Sequence, residues 1–286
     1  MRKIMILFSA TLLLWSCGNS TKPETQEKSE TTAEEKTEVT ANEQEVVTEE
    51  VSYEADGITM NGFIAYKPGE EKSKPGVLVV HEWWGHNEHA RNKAKALAEL
   101  GYVAIAIDMY GEGKQAAHPD DAGKFAGMVM QNIDGAKARF ESALTQLKAN
   151  KNVNPEKIGA IGFCFGGSVV MTMANMGMDL DAVAAFHSGV ALPVMPKKGK
   201  LHTPILVCNG AEDPFVKEEQ KVTFKEMMDE SGVEYKYIDY PGAVHAFTNP
   251  GADEMGKKFN LPLAYNKEAD EQSWNEMKMF FEKFLN

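Results

Sequence analysis

An apolar stretch, Ile158 to Ile161, runs without a break into Gly162-Phe163-Cys164-Phe165-Gly166-Gly167, and a helical pattern follows over Ser168 to Met176. A strand that reverses into a helix within so few residues leaves no room for side chains beside the corner. That accounts for glycine at 162 and 166. The residue at the point of such a corner is presented above the sheet edge. Here it is Cys164, a soft nucleophile that attacks as its thiolate.

The rest of the chain fits this corner into one architecture. Short continuous apolar runs at Val77 to Val80, Val103 to Ile107, Ile158 to Ile161, Val183 to Phe186 and Ile205 to Val207 read as strands buried on both faces, and Tyr235 to Tyr240 reads as the last strand. Helical patterns alternate with them at Glu88 to Leu100, Asp134 to Ala149, Ser168 to Met176, Val216 to Ser231 and Gln272 to Phe284. The alternation predicts an α/β-hydrolase-like fold: a mostly parallel central sheet with helices on both faces. Val51 to Tyr66 alternates polar and apolar residues around Ala-Asp-Gly and Met-Asn-Gly, which predicts an antiparallel hairpin at the sheet edge.

In this architecture reacting groups gather on loops at the carboxyl ends of strands. Glu82, Cys164, Asp213 and His245 each follow a predicted strand. The order nucleophile, acid, histidine is that of the α/β-hydrolases. It assigns Asp213 to orient the imidazole and His245 to take the thiol proton and return it to the leaving group. Taken singly, an Asp before Pro214, a His after Pro-Gly or a lone Cys reads as a turn, loop or core residue. The three together, in order and each after a strand, carry the catalytic reading.

The beginning of the chain is of a different kind. Met-Arg-Lys precedes an apolar run from Ile4 to Trp15 and then Ser16-Cys17-Gly18. The run is shorter than the ~20 residues that span a bilayer as a helix, so residues 1–16 read as a secretory signal. Leu-Leu-Trp-Ser-Cys-Gly resembles a bacterial lipobox, which implies lipidation of Cys17 and anchoring of the protein in the cell envelope. Residues 17–50, rich in Glu, Thr and Ser, read as a disordered acidic tether, and residues 51–286 as one hydrolase domain. A formal net charge of −12 offers no nucleic-acid footprint.

Other clusters support only ordinary readings. His81 and His86 lie five residues apart around Gly85, the wrong spacing for a helical zinc pair, so no metal is assigned. Met171, Met173, Met176 and Met178 read as packing behind the corner, and Cys208, inside an apolar run, as a core residue. The triad chemistry calls for no cofactor.

Gly-Phe-Cys-Phe-Gly-Gly, Glu-Asp-Pro, Gly-Ala-Val-His-Ala-Phe and the early His-Glu-Trp-Trp-Gly together resemble the dienelactone hydrolase family from about residue 55 to 286. The resemblance implies a Cys164-His245-Asp213 triad that cleaves an ester or lactone through an acyl-thioester. It implies that Glu82 contacts the resting thiol and gates it, and the backbone amides of Trp83 and Phe165 are expected to form the oxyanion hole. Family members acting on carboxylate-bearing lactones use two arginines, whereas this chain has Glu112 at or beside one position and Asn249 at the other. A neutral ester or lactone with an apolar acyl group, lying among Trp83, Trp84, Phe163 and Phe165, is therefore the expected substrate. The alternatives are a thioesterase or peptidase on the same fold, or an envelope binding lipoprotein without turnover.

Overall fold

A computed structural model describes residues 45–69 and 73–286. The apolar run Ile4 to Trp15, Cys17 and the tether up to residue 44 lie outside the described residues. In chain order the elements are β1 (Val47–Ala55), β2 (Ile58–Tyr66), β3 (Lys74–Val80), α1 (Glu88–Glu99), β4 (Val103–Ile107), α2 (Pro119–Gln131) and α3 (Ile133–Lys148). They continue with β5 (Val153–Phe163), α4 (Phe165–Asn175), β6 (Ala182–Phe186), β7 (Ile205–Gly210), α5 (Glu218–Ser231), β8 (Tyr235–Tyr240), α6 (Ala252–Phe259) and α7 (Lys267–Leu285).

The eight strands form one sheet in the order β1-β2-β4-β3-β5-β6-β7-β8. The six from β4 to β8 along this order are parallel, and the antiparallel β1–β2 pair lies at the edge beside β4. The hairpin turns at Asp56-Gly57, whose φ values of 53° and 70° suit a two-residue turn with both central residues left-handed. The second candidate turn, Met60-Asn61-Gly62, is continuous strand within β2. Strand β1 starts at Val47, four residues inside the segment read as tether, because its exposed, Glu-rich outer half lacks the apolar alternation that marks a strand.

The apolar runs are buried on both sides, as their composition requires. Leu78, Val80, Ile105, Ile107 and Val207 pack on one face with Phe140 of α3, Val170 of α4 and Phe224 of α5. Val77, Val79, Ala104, Ile161 and Leu206 pack on the other with Leu97 of α1 and Phe281 of α7. Each such side chain, fully buried, contributes roughly 1.5–3 kcal/mol. Met171 and Met173 belong to the first of these cores, and Cys208 to the second, where burial pushes its thiol up to about 12.

Two helices had no clear periodic signal. Helix α2 buries only Ala122 and Val129 and contains two glycines, and α6 has eight residues and buries only Ala252 and Gly256. Each interior glycine costs about 1 kcal/mol against alanine, so tertiary context makes these helices. Pro119 at the start of α2, with Asp120 and Asp121 behind it, was the one local sign.

Candidate active site

Strand β5 lies between β3 and β6 near the middle of the sheet, and it delivers Cys164 at its carboxyl end. Cys164 has φ 54° and ψ −115°, a strained combination for a residue with a side chain. Its amide is tied to Phe186 O at 2.9 Å. A Cβ on Gly162 would lie 2.1 Å from Gly166 O, and one on Gly166 would lie 2.3 Å from Val80 O. Both glycines are therefore dictated by backbone meeting backbone at the corner.

The loops after β7 and β8 bring the other two groups to the same edge. Asp213 Oδ2 accepts from His245 Nδ1 at 2.7 Å, and its Oδ1 accepts from Phe215 N at 2.9 Å, with no side-chain surface left to solvent. Cys164 is near enough to the imidazole for its charge to act on His245. With Nδ1 committed to Asp213, Nε2 is the ring atom left for the sulfur. Burial disfavours an imidazolium here, but the charge on Cys164 and the hydrogen bond to Asp213 outweigh it and raise His245 to about 10.

The amides expected to hold an oxyanion are free to do so. Among the described residues, neither Trp83 N–H nor Phe165 N–H donates to another protein group. Helix α4 has no side-chain cap, unlike α1, α3 and α7, whose first turns are capped by Asn87, Asn132 and Asn266. An uncapped N-terminus beside the sulfur leaves both donors and the positive end of the helix dipole available for developing negative charge. Tyr110 braces both donor residues: its hydroxyl donates to Trp83 O at 2.9 Å, and its ring lies 5.5 Å from that of Phe165.

Glu82 is at this edge but engages other partners than the thiol. Its Oε2 accepts from Asn249 Nδ2 at 2.6 Å and lies 3.7 Å from His89 Nδ1. Burial pushes the Glu82 carboxyl up to about 7, against the Asn249 hydrogen bond and the charges of His245 and Lys93. His89 Nε2 is 3.3 Å from Thr248 O, and a carbonyl can only accept, so the proton sits on Nε2 and Nδ1 presents a lone pair. Burial and then Lys93 push His89 down to about 3, keeping it neutral. A lone pair facing a carboxylate is unfavourable, so this contact favours the protonated acid. The hydrogen bond described for the Glu82 carboxylate is to Asn249, and none to the Cys164 thiol is found among the described residues.

Several site residues carried no usable sequence signal. His187, with its Nε2 2.8 Å from Thr248 Oγ1, packs its ring 5.5 Å from that of His245, and the Phe215 ring lies 5.0 Å from the same imidazole. His81 Nε2 accepts from Met109 N at 3.2 Å and its Nδ1 donates to Glu82 O, locking the two loops together. Asp108 accepts from Tyr110 N, Gly111 N and Gly113 N and so shapes the loop carrying Tyr110. Of the four aromatic residues expected around the substrate, Trp83 and Phe165 pack with the cluster that includes Cys164. Phe163 points to the opposite face of the sheet against Phe186, because strand residues alternate, and Trp84 packs against Phe259.

The dienelactone hydrolase family model matches residues 60–285. The chain belongs to the dienelactone hydrolase family. It is 32% identical over 242 residues to the protein "usf" of Aquifex pyrophilus, covering 82% of this chain and 98% of that one. A crystal structure of a dienelactone hydrolase-like promiscuous phosphotriesterase from metagenomic libraries superposes with a TM-score of 0.77 at 29% identity, covering 85% of this chain and 100% of the other. A thermophilic esterase of Thermogutta terrifontis, at 17% identity and a TM-score of 0.59 over 82% of this chain and 94% of the other, shares the fold. As a member of the dienelactone hydrolase family, the protein is a hydrolase that acts on esters or lactones.

Proposed function

We propose that this dienelactone hydrolase family member cleaves neutral carboxylic esters or lactones by thiol acyl transfer, with Cys164 as nucleophile, His245 as base and acid, and Asp213 as its orienting carboxylate. The observation that supports this most is the sheet edge itself: His245 hydrogen-bonded to Asp213, Cys164 at the strained corner beside them, and two amides with no other partner among the described residues. The thiolate adds to the carbonyl carbon, and the resulting oxyanion is held by Trp83 N–H and Phe165 N–H. Collapse breaks the C–O bond, and His245 delivers its Nε2 proton to the departing alkoxide. His245, now neutral, takes a proton from water, and the hydroxide attacks the acyl-thioester and expels the thiolate. Burial holds the Glu82 carboxyl above the usual carboxylate range, which lessens the negative charge it sets against the thiolate.

The neutral substrate follows from the groups around the site. Asn249 spends its amide N–H on Glu82, and Lys114 pairs with Glu112 at 2.8 Å. Neither is a free cation that would grip a carboxylate. A matched pair of lactones, one carrying a methyl ester and one the free carboxylate, tests this. The neutral member is expected to turn over about tenfold faster or more, the value of one charged hydrogen bond; faster turnover of the acid overturns the assignment.

From the lipobox-like Leu-Leu-Trp-Ser-Cys-Gly we further propose that the enzyme is anchored in the cell envelope through a lipidated Cys17. Fractionation checks it: the full chain should sediment with membranes and Cys17→Ser should be released. Equal distribution of the two would remove the anchor.

A further inference from the structure

Between α2, α3 and the start of β2 lies a cavity of about 360 Å³, at the small end of the range for ligand pockets. Its walls include Ile58, Tyr110, Phe125, Val129 and Ala136. Cys164 is not part of its lining, yet all these residues and the thiol belong to one apolar cluster. Phe125 packs its ring 5.4 Å from that of Tyr110, which in turn braces Trp83 and Phe165. One wall of the cavity is therefore the residue that holds both candidate oxyanion donors.

The cations at the rim are already engaged. Arg139 donates to Met109 O at 2.7 Å and lies 3.6 Å from Asp56, and Lys114 is paired with Glu112. What remains for a ligand is mostly apolar wall, with the uncharged amide of Asn132 beside it, open to solvent past Met128, a residue 62% exposed. Such a surface favours an uncharged hydrocarbon group and disfavours a carboxylate that would have to displace an existing ion pair.

We propose that this cavity is the specificity subsite for the apolar arm of the substrate, seating a short aliphatic chain or a single ring against Tyr110 and Phe125 while the ester carbonyl sits at Cys164. The proposal rests on the ester or lactone reading above and adds the size and chemistry of the arm. Because Tyr110 also braces the oxyanion donors, an arm that fills the cavity steadies the hole that stabilises the transition state. The gain from a longer arm then appears in kcat as well as in KM.

The experiment compares p-nitrophenyl acetate, butyrate, hexanoate and decanoate as substrates of the full chain, of Ala136→Phe, which fills the cavity, and of Val129→Ala, which enlarges it. Each buried methylene is worth about fourfold. The unsubstituted enzyme should therefore gain on the order of a hundredfold in kcat/KM from acetate to hexanoate and lose part of it at decanoate. Ala136→Phe should collapse the hexanoate-to-acetate ratio, and Val129→Ala should move the optimum to longer chains. Identical chain-length profiles in all three proteins overturn the proposal. Binding of the neutral fluorophore N-phenyl-1-naphthylamine to the Cys164→Ala protein separates failure of the subsite from failure of ester hydrolysis. Binding that hexyl acetate displaces and that Ala136→Phe abolishes supports the subsite even without turnover, and binding unaffected by Ala136→Phe contradicts it.

Discussion

Cys164→Ala should lower kcat/KM toward a p-nitrophenyl ester on the order of 10⁶-fold, leaving only what binding and the oxyanion donors supply. The size of the effect comes from the chemistry the sulfur performs. Without it no covalent intermediate forms, and His245 has no thiol to pair with. A fall this large has to be separated from unfolding. Alanine has a Cβ just as cysteine has, so the strain at φ 54° and ψ −115° stays in the variant. Circular dichroism and the melting temperature of Cys164→Ala should accordingly remain close to those of the parent. Turnover within tenfold of the parent would mean that another group carries the reaction.

The second large effect is on stability as a function of pH, and it comes from histidines buried without charge. Burial, then His81 and Arg91, push His86 from 6.5 down to about 4, with Asp108 and Glu50 acting weakly the other way. Burial and Lys93 take His89 to about 3, and burial with His245, His89 and Lys93 holds His187 well below 6.5. In the unfolded chain these rings take up protons from about pH 6.5 downward, and in the folded protein they do not. Their stabilisation is therefore present above pH 6.5 and lost as pH falls toward 4, at about 1.4 kcal/mol per group per pH unit.

Two groups act in the opposite direction. Glu82, raised from 4.5 to about 7, contributes stability present below pH 4.5 and lost as pH rises through 7. His245, raised to about 10, does the same between 6.5 and 10. Stability should therefore peak near pH 6.5 and fall on the acid side, where the lowered His81, His86, His89 and His187 outweigh the raised Glu82. Urea unfolding at pH 4.5, 6.5 and 9 measures it. His86→Phe should recover about 3 kcal/mol of the acid loss by removing a buried ring that cannot ionise in place. A stability that does not change between pH 6.5 and 4.5 would show that these rings titrate freely in the folded protein.

The parts of this molecule that were legible in the sequence are those governed by local pattern. The strands Val103–Ile107 and Tyr235–Tyr240 match the observed β4 and β8 at both ends, because each is bounded by turn residues. Strand β5 runs longer than expected, from Val153, since Asn154, Pro155 and Glu156 hide its outer half. Helices α2 and α6 were hidden by glycine and by charge. The corner at Cys164, and the loops bearing Asp213 and His245, could be read because each follows a strand directly. The partnership of Glu82 with Asn249 could not, since it joins residues 167 apart in sequence through loops whose approach is set by packing. The same holds for His187 and Thr248 beside His245 and for the clamp of Tyr110 on Trp83, which only the assembled sheet edge creates.

An acyl group that passes through sulfur at Cys164 can be caught there. The direct measurement is acid quenching of the enzyme during turnover of p-nitrophenyl hexanoate, followed by mass spectrometry of the intact chain and of its peptides. One hexanoyl adduct is expected, on the peptide containing Cys164 and absent from Cys164→Ala. Turnover with no adduct at any point of the time course, or an adduct on another residue that survives Cys164→Ala, would contradict it.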